Sequence, residues 1–553
     1  MSAAPTVSAP SGRRSRSDQA SIVVFGLAVV AGFVALVADL GRYYWFNGDD
    51  WTFLANRDGG DLRQLLEPHN EHLVAVPVMA YRTMFRLWGL ESYLPYQIPV
   101  IVLHLTAVVL LWLIMRRCQV NPWIATAAAS VFILFGPGEE NIIWAFQIGF
   151  TGSLALGLGH LLLADHPGPV SRRDYAGLML GFIGLFSSGF TPLITVVIGA
   201  VVLVRRGWRP AVFHTVPLGV VYSVWFLAIG PDVIDDPYGR SSDLGEIAGF
   251  MGHALRATFE GLGGNPVLAI VYALVLVVGL VVAYGPLPRH EALRQAVLPV
   301  GLLVAGFAFL LLSAYGRWWV GPDVGESSRY IHLAAAFTLP ALAVAIDALT
   351  RRWSPAVAVA ALVLVSVIPH NIGDFESHEL FTEPYFEARE RHVVSLAHSP
   401  LAEQVPGATR PDPVWTNVPI HWLLDLRADG ELPAVDPRPN PADPLLFGLS
   451  QIDATNPYDQ CETLRGPVDL ELVRGDEIGI AVGPWSEPKD GWFFNQSFSV
   501  QLLVDGEPVG SANLRHPSGG ELMRVEVDEL AVRFDLSGET EAYILCRPDN
   551  DLG

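Results

Sequence analysis

Apolar segments of roughly bilayer length recur through the first two thirds of this chain, and arginines mark every second loop between them. A spanning helix needs about 20 mainly apolar residues, which predicts about eleven crossings. They lie near 21–42, 95–115, 122–137, 147–164, 176–190, 192–204, 211–230, 266–285, 296–315, 330–349 and 354–370. Arg116-Arg117, Arg172-Arg173, Arg205-Arg206-Arg209, Arg289 with Arg294, and Arg351-Arg352 fall on alternate loops. Arginine is retained on the cytoplasmic side of a bilayer, so the alternation predicts a plasma-membrane protein with a cytoplasmic N-terminus. An odd number of spans then puts the C-terminus outside. Residues 1–19, rich in Ser, Ala and Pro and carrying Arg13, Arg14 and Arg16, read as a disordered cytoplasmic tail.

Charge divides the chain in the same way. The net charge of −21 is 35 basic minus 56 acidic residues. Residues 1–370 hold 23 of each sign, so the whole excess falls in 371–553, with 33 acidic against 12 basic residues. This acidic balance argues against nucleic acid as a partner. Four regions follow: the tail 1–19, a membrane module 20–370, a helical or irregular connector 371–439, and a β-rich domain 440–553. Within the last, Val468-Asp469-Leu470-Glu471-Leu472-Val473 alternates apolar with polar residues, and Phe498–Val504 runs into Asp505-Gly506, a hairpin signal. Short strands of this kind predict a β-sandwich-like domain outside the membrane. Cys461 and Cys546 both lie there, which fits a disulfide in an oxidising compartment, or two unpaired structural thiols.

The outer loops carry the candidate chemistry. Asp49-Asp50 follows the first span, inside the aromatic run Tyr43–Trp51. A carboxylate pair at a membrane face must be solvated or coordinated, and it offers a general base at the lipid boundary; the bland reading is a wet loop. His69-Asn70-Glu71-His72 sits further along, and 71–88 has the spacing of an amphipathic interfacial helix. Two histidines three apart share a helix face, but they are not the four-apart pair of the zinc signature, so substrate contacts are the better reading. Glu139-Glu140 after Gly136-Pro137-Gly138 offers a second acidic group, with Gln147 close behind. Arg329-Tyr330 enters a later span, where a guanidinium could hold a phosphate or simply snorkel. No phosphate-binding loop, dinucleotide fingerprint or Gly-x-Ser-x-Gly occurs. Ionisable residues within spans are few, His104, His160 and Asp347, which speaks against a proton-coupled transporter.

This order of features resembles the GT-C superfamily of membrane glycosyltransferases that use polyprenyl-phosphate sugars. The resemblance covers roughly 40–370 and rests on Asp49-Asp50-Trp51, His69-Asn70-Glu71-His72, Pro95-Tyr96-Gln97 and Trp144-Ala145-Phe146-Gln147. It implies a mainly helical GT-C-like module and an acid of the first outer loop, Asp49 or Asp50, as base on the acceptor hydroxyl. It also implies an assisting acid at Glu139 or Glu140, and a carrier-phosphate contact at Arg329 with Tyr330. A divalent ion, Mg2+ or Mn2+, on Asp49, Asp50 and Glu139 is a further expectation. His69, Asn70, Glu71, His72, Trp51 and Gln147 are expected donor or acceptor contacts. The expected activity is inverting transfer of a hexose or pentose to an extracytoplasmic glycan, lipid or protein, in cell-wall biogenesis. The rival readings are a flippase for lipid-linked glycans and a non-catalytic membrane protein that binds cell wall.

Overall fold

Helices dominate because the apolar stretches can satisfy their backbone only internally once they leave water. The structure, a computed structural model, describes residues 16–57, 62–69, 72–230, 244–317, 321–351, 353–412, 416, 418–453, 460–464, 468–483, 497–515, 521–534 and 542–547. Among these, eight helices are long and apolar enough to cross a membrane: Arg16–Leu40, Leu94–Arg117, Ala145–Ala164, Trp208–Ala228, Pro266–Tyr284, Arg289–Arg317, Ser328–Thr350 and Pro355–Ser377. The expected segments at 122–137, 176–190 and 192–204 are shorter helices, Pro122–Ile133, Arg172–Leu185 and Thr191–Arg206. Helix Ser328–Thr350 is the centre of the bundle, buried along nearly its whole length.

The predicted arginine loops gather at one end of the bundle. There Arg116 meets Asp18 at 2.7 Å, Arg117 and Arg205 each meet Asp165 at 2.7 Å, and Arg351 meets Asp347 at 2.6 Å. Buried Asp174 accepts from Arg206 at 2.5 Å and from His166 and His214 at 2.9 Å. It also closes a capping box with Ser171, which fixes the start of helix Arg172–Leu185. Glu139 sits at the opposite end, at the Ser328 start of the helix whose other end carries Asp347, and Asp50 lies there too through Trp144.

One expected element differs. The helix assigned to 71–88 begins only at Ala75 and runs to Trp88. His69 and His72 instead exchange backbone hydrogen bonds, His69 N–H to the His72 carbonyl at 3.0 Å and the reverse at 2.9 Å, across a tight turn. Arg57 pins the entrance to that turn by donating to the carbonyls of Glu67 and Pro68. The helix that follows stops at Gly89, whose φ of +55° favours glycine.

The long helix Ile368–His398 and the helix Ile420–Asp429 lean over the opposite end. Tyr385 donates to Asn47 Oδ1 at 3.0 Å, Phe386 packs on Tyr44, and Trp422 stacks on Phe85. Beyond them come two antiparallel sheets. One has the strand order Leu449–Asp453, Glu521–Val525, Glu477–Gly483, Ala542–Arg547, Gln460–Leu464. The other has Val468–Val473, Glu529–Phe534, Ser497–Val504, Glu507–Arg515. Cys461 and Cys546 are direct register partners on neighbouring antiparallel strands, a backbone proximity compatible with the expected disulfide.

Candidate active site

The two neighbouring aspartates have unlike surroundings. Gly48, at φ +53°, turns the chain so that Asp49 and Asp50 open the short helix Asp49–Leu54. Successive residues on a helix point in different directions, and here one carboxylate meets solvent while the other is fully buried. Asp50 accepts from the backbone N–H of Asn47 at 3.0 Å, the Trp144 indole at 3.1 Å, the Tyr93 hydroxyl at 3.2 Å, and the Tyr81 hydroxyl. Burial pushes its pKa up to about 7 against the pull of these donors. Burial raises Tyr44, Tyr81 and Tyr93 as well, so all three phenols stay protonated at neutral pH and Tyr81 and Tyr93 can donate to Asp50. With its oxygens taken, Asp50 anchors the loop.

Asp49 is the accessible acid. Its side chain is 34% exposed, and Oδ1 lies 3.3 Å from His69 Nε2. The His69 ring is held edgewise by Phe53 and Phe146, both at 5.4 Å between centroids. His69, held by its backbone bonds to His72, is thereby presented to Asp49. Asn70 and Glu71 lie outside the described residues. Burial, with Arg317, His69 and Arg329 close by, lowers His72 to about 3, so its imidazole is neutral. Arg317 and Arg329 thus both bring positive potential to His72.

The second acidic pair is attached to Arg329 through one serine. Ser328 Oγ donates to Glu139 Oε2 at 2.9 Å and accepts from the Glu140 backbone N–H at 3.1 Å. Burial, reinforced by the charge of Glu140, raises Glu139 to about 7. Asn141, fully buried, donates to the Arg329 carbonyl at 3.0 Å and lies 3.3 Å from His332 Nδ1. His332 Nε2 is 3.1 Å from His104 Nδ1, and His104 Nε2 is 3.2 Å from the Ile133 carbonyl. Because a carbonyl only accepts, His104 donates from Nε2, His332 donates to His104, and Asn141 donates to His332. This chain locks the second loop to the helix bearing Arg329. Gly138 allows the approach, since a Cβ there would stand 2.9 Å from the His332 side chain. Gln97 adds a tie between the loops, donating to the carbonyls of Gly41 and Ile143.

Buried polar atoms without partners gather here. Among the described residues, Glu140 Oε2, Asn141 Oδ1, both amide atoms of Gln147 and Arg329 Nε make no hydrogen bond. Native proteins pair nearly all such atoms, so a concentration of exceptions in one loop and its neighbour marks a place where polar occupants belong. Gln147 was expected as a contact and is fully buried. Trp51 and Tyr330 are corrected. Trp51 is enclosed by Trp45, Phe46 and Trp422, and Tyr330 packs between Phe250 and Phe309, so both are core residues. The sequence reading missed Tyr81, Tyr93, Trp144 and Ser328, which hold the two acidic pairs in place.

The expected metal set does not fit. Asp49, Asp50 and Glu139 do not bring three ligand atoms within 4.8 Å of one another, and Asp50 already accepts four hydrogen bonds. No protein-family model, curated protein or solved structure matches the chain.

Proposed function

We propose that the protein is a GT-C-like membrane glycosyltransferase that moves a sugar from a polyprenyl-phosphate carrier to an extracytoplasmic acceptor. In this reading the arginine end faces the cytoplasm and the acidic end faces out. Apolar stretches within helices Pro122–Ile133, Arg172–Leu185 and Thr191–Arg206 complete eleven passes. The observation that carries the proposal is an accessible aspartate, Asp49, paired with His69, whose ring packs on Phe146 of the loop that Ser328 ties to the start of the Arg329 helix. Such a transfer needs a base for the acceptor hydroxyl and positive charge for the departing phosphate, and it needs no nucleotide site.

In the reaction the acceptor oxygen attacks the anomeric carbon and loses its proton to an oxygen of Asp49. The bond from that carbon to the carrier phosphate breaks, and the phosphate leaves with the electron pair towards Arg329. His69, 3.3 Å away, orients Asp49. Asp50 sets the loop through Tyr81, Tyr93 and Trp144. Glu139, through Ser328, holds the start of the Arg329 helix. Because the expected metal donors do not converge, no step is assigned to a metal.

The test is transfer from a radiolabelled polyprenyl-phosphate sugar by the purified protein in lipid nanodiscs. Asp49→Asn lowers transfer by roughly 10²–10⁴-fold and leaves folding intact in this reading; wild-type turnover in that variant excludes Asp49 as base. A flippase would instead translocate the labelled lipid without forming a new glycoside.

A further inference from the structure

We infer that His253, Asp323 and Glu326 form a binding site for one first-row divalent cation, zinc foremost. The three come from two elements, helix Leu244–Gly263 and the turn Pro322–Glu326. Gly325 lets them meet, because a Cβ there would stand 2.6 Å from the Phe250 carbonyl oxygen. His253 Nδ1 lies 2.6 Å from Glu326 Oε1 and 3.3 Å from Asp323 Oδ1, and the three ligand atoms are all within 4.8 Å of one another. Ligands bonded at about 2.0–2.2 Å in a tetrahedron stand about 3.3–3.6 Å apart, so Asp323 is already at that distance from His253 and Glu326 has to open by about 1 Å from its direct hydrogen bond to admit an ion.

The donor set selects the class of ion. Two carboxylates meet at one imidazole nitrogen, and among the described residues only Glu326 has a further cationic partner, Arg256. One nitrogen with two oxygen ligands favours zinc or a neighbouring transition ion; calcium and magnesium prefer oxygen alone. Asp323 is 88% exposed, so an ion has an entry path and water can complete its shell.

Arg256 separates this reading from an ordinary surface ion-pair cluster. It bonds the same Glu326 oxygen that faces His253, and it also lies 3.8 Å from Glu260. An ion arriving at Glu326 displaces Arg256, which has Glu260 to turn to. A bound ion would also pin the turn that leads through Ser327 and Ser328 to Arg329, three residues on. The inference rests on the cluster geometry and not on the transfer reaction.

The experiment is zinc binding to the full-length, tag-free protein in detergent, by isothermal titration and by metal content after dialysis. Wild type is expected to hold one zinc more than His253→Ala. Asp323→Asn and Glu326→Gln should each lose at least roughly tenfold in affinity, since even outer partners of a metal site are worth that much. Arg256→Gln, which removes the competing cation, should tighten binding, whereas an ion-pair cluster has no reason to respond. Thermal unfolding in chelator reports whether each variant is folded. Equal zinc content in folded wild type and His253→Ala overturns the site, as does weaker binding in Arg256→Gln.

Discussion

The two ends of the helical bundle treat buried charge in opposite ways. At the arginine end each buried carboxylate is matched: Asp165 by Arg117 and Arg205, Asp347 by Arg351, Asp174 by Arg206, His166 and His214. No unpartnered buried side-chain atom is found among the described residues of those pairs. At the opposite end Asp50 and Glu139 are both raised to about 7, and Glu140, Asn141, Gln147 and Arg329 keep polar atoms unpaired. A satisfied charge network holds helices together, whereas raised acids beside unmet polar atoms are costly and cluster at functional sites. The difference marks one end as structural and the other as the end to which the proposed transfer belongs.

The contrast breaks most directly at Asp49. General-base catalysis contributes roughly 10²–10⁴-fold, so Asp49→Asn should lower transfer by that factor while the melting temperature stays put. An equal loss of stability would move Asp49 to the structural class. The converse substitution is Asp174→Asn at the arginine end. Removing one member of a buried charge network costs about 3–5 kcal/mol, because its partners are left uncompensated. Denaturation should reveal that loss, and the fraction that remains folded should transfer sugar at the wild-type rate. A specific activity that falls with stability intact would place function at both ends.

Arg329→Gln sharpens the comparison within the acidic end. Deleting one preorganised group that faces developing charge lowers kcat by roughly 10²–10³-fold. The loss should appear in kcat and in phosphate inhibition, with folding preserved. An unchanged kcat would make Arg329 a snorkelling arginine.

Much of this architecture is legible in the sequence, because bilayer length and arginine placement are physical constraints written locally. The eleven apolar segments are all helical, and the Arg-bearing loops do meet. The acidic pair at the end of the first long helix was visible for the same reason. What separates Asp49 from Asp50 was not visible. It depends on Tyr81, Tyr93 and Trp144, which lie 31, 43 and 94 residues along the chain and reach Asp50 only in three dimensions. The turn at His69 and His72 did leave a signal, since Pro68 disfavours a helix running through its predecessor, but periodicity further on outweighed it. Trp51 and Tyr330 show the same limit: an aromatic at interface depth reads alike whether it packs inward or meets a ligand.

The smallest expected effect uses pH, and the two ends should respond in opposite senses. Burial and Glu140 raise Glu139 from an ordinary 4.5 to about 7. The folded state therefore keeps a proton that the unfolded chain gives up. Stability from this group is fully present below about 4.5 and is lost as pH rises through about 7. Asp50 acts in the same direction. At Asp174 burial opposes ionisation, but Arg206, His214 and His166 hold the carboxyl well below its usual range. Its stabilisation is present above the ordinary aspartate value and is lost only in strong acid. Melting temperature measured from pH 4 to 8 should thus fall towards neutrality in wild type. Glu139→Gln should remove roughly 1–2 kcal/mol of that slope, less than a bare conversion of the shift because solvent screens a partly exposed group. Asp174→Asn should lower stability across the range and leave the slope alone. If Glu139→Gln keeps the full slope, Glu139 is ionised in the folded protein, and the contrast between the two ends rests on Asp50 and the unpaired atoms.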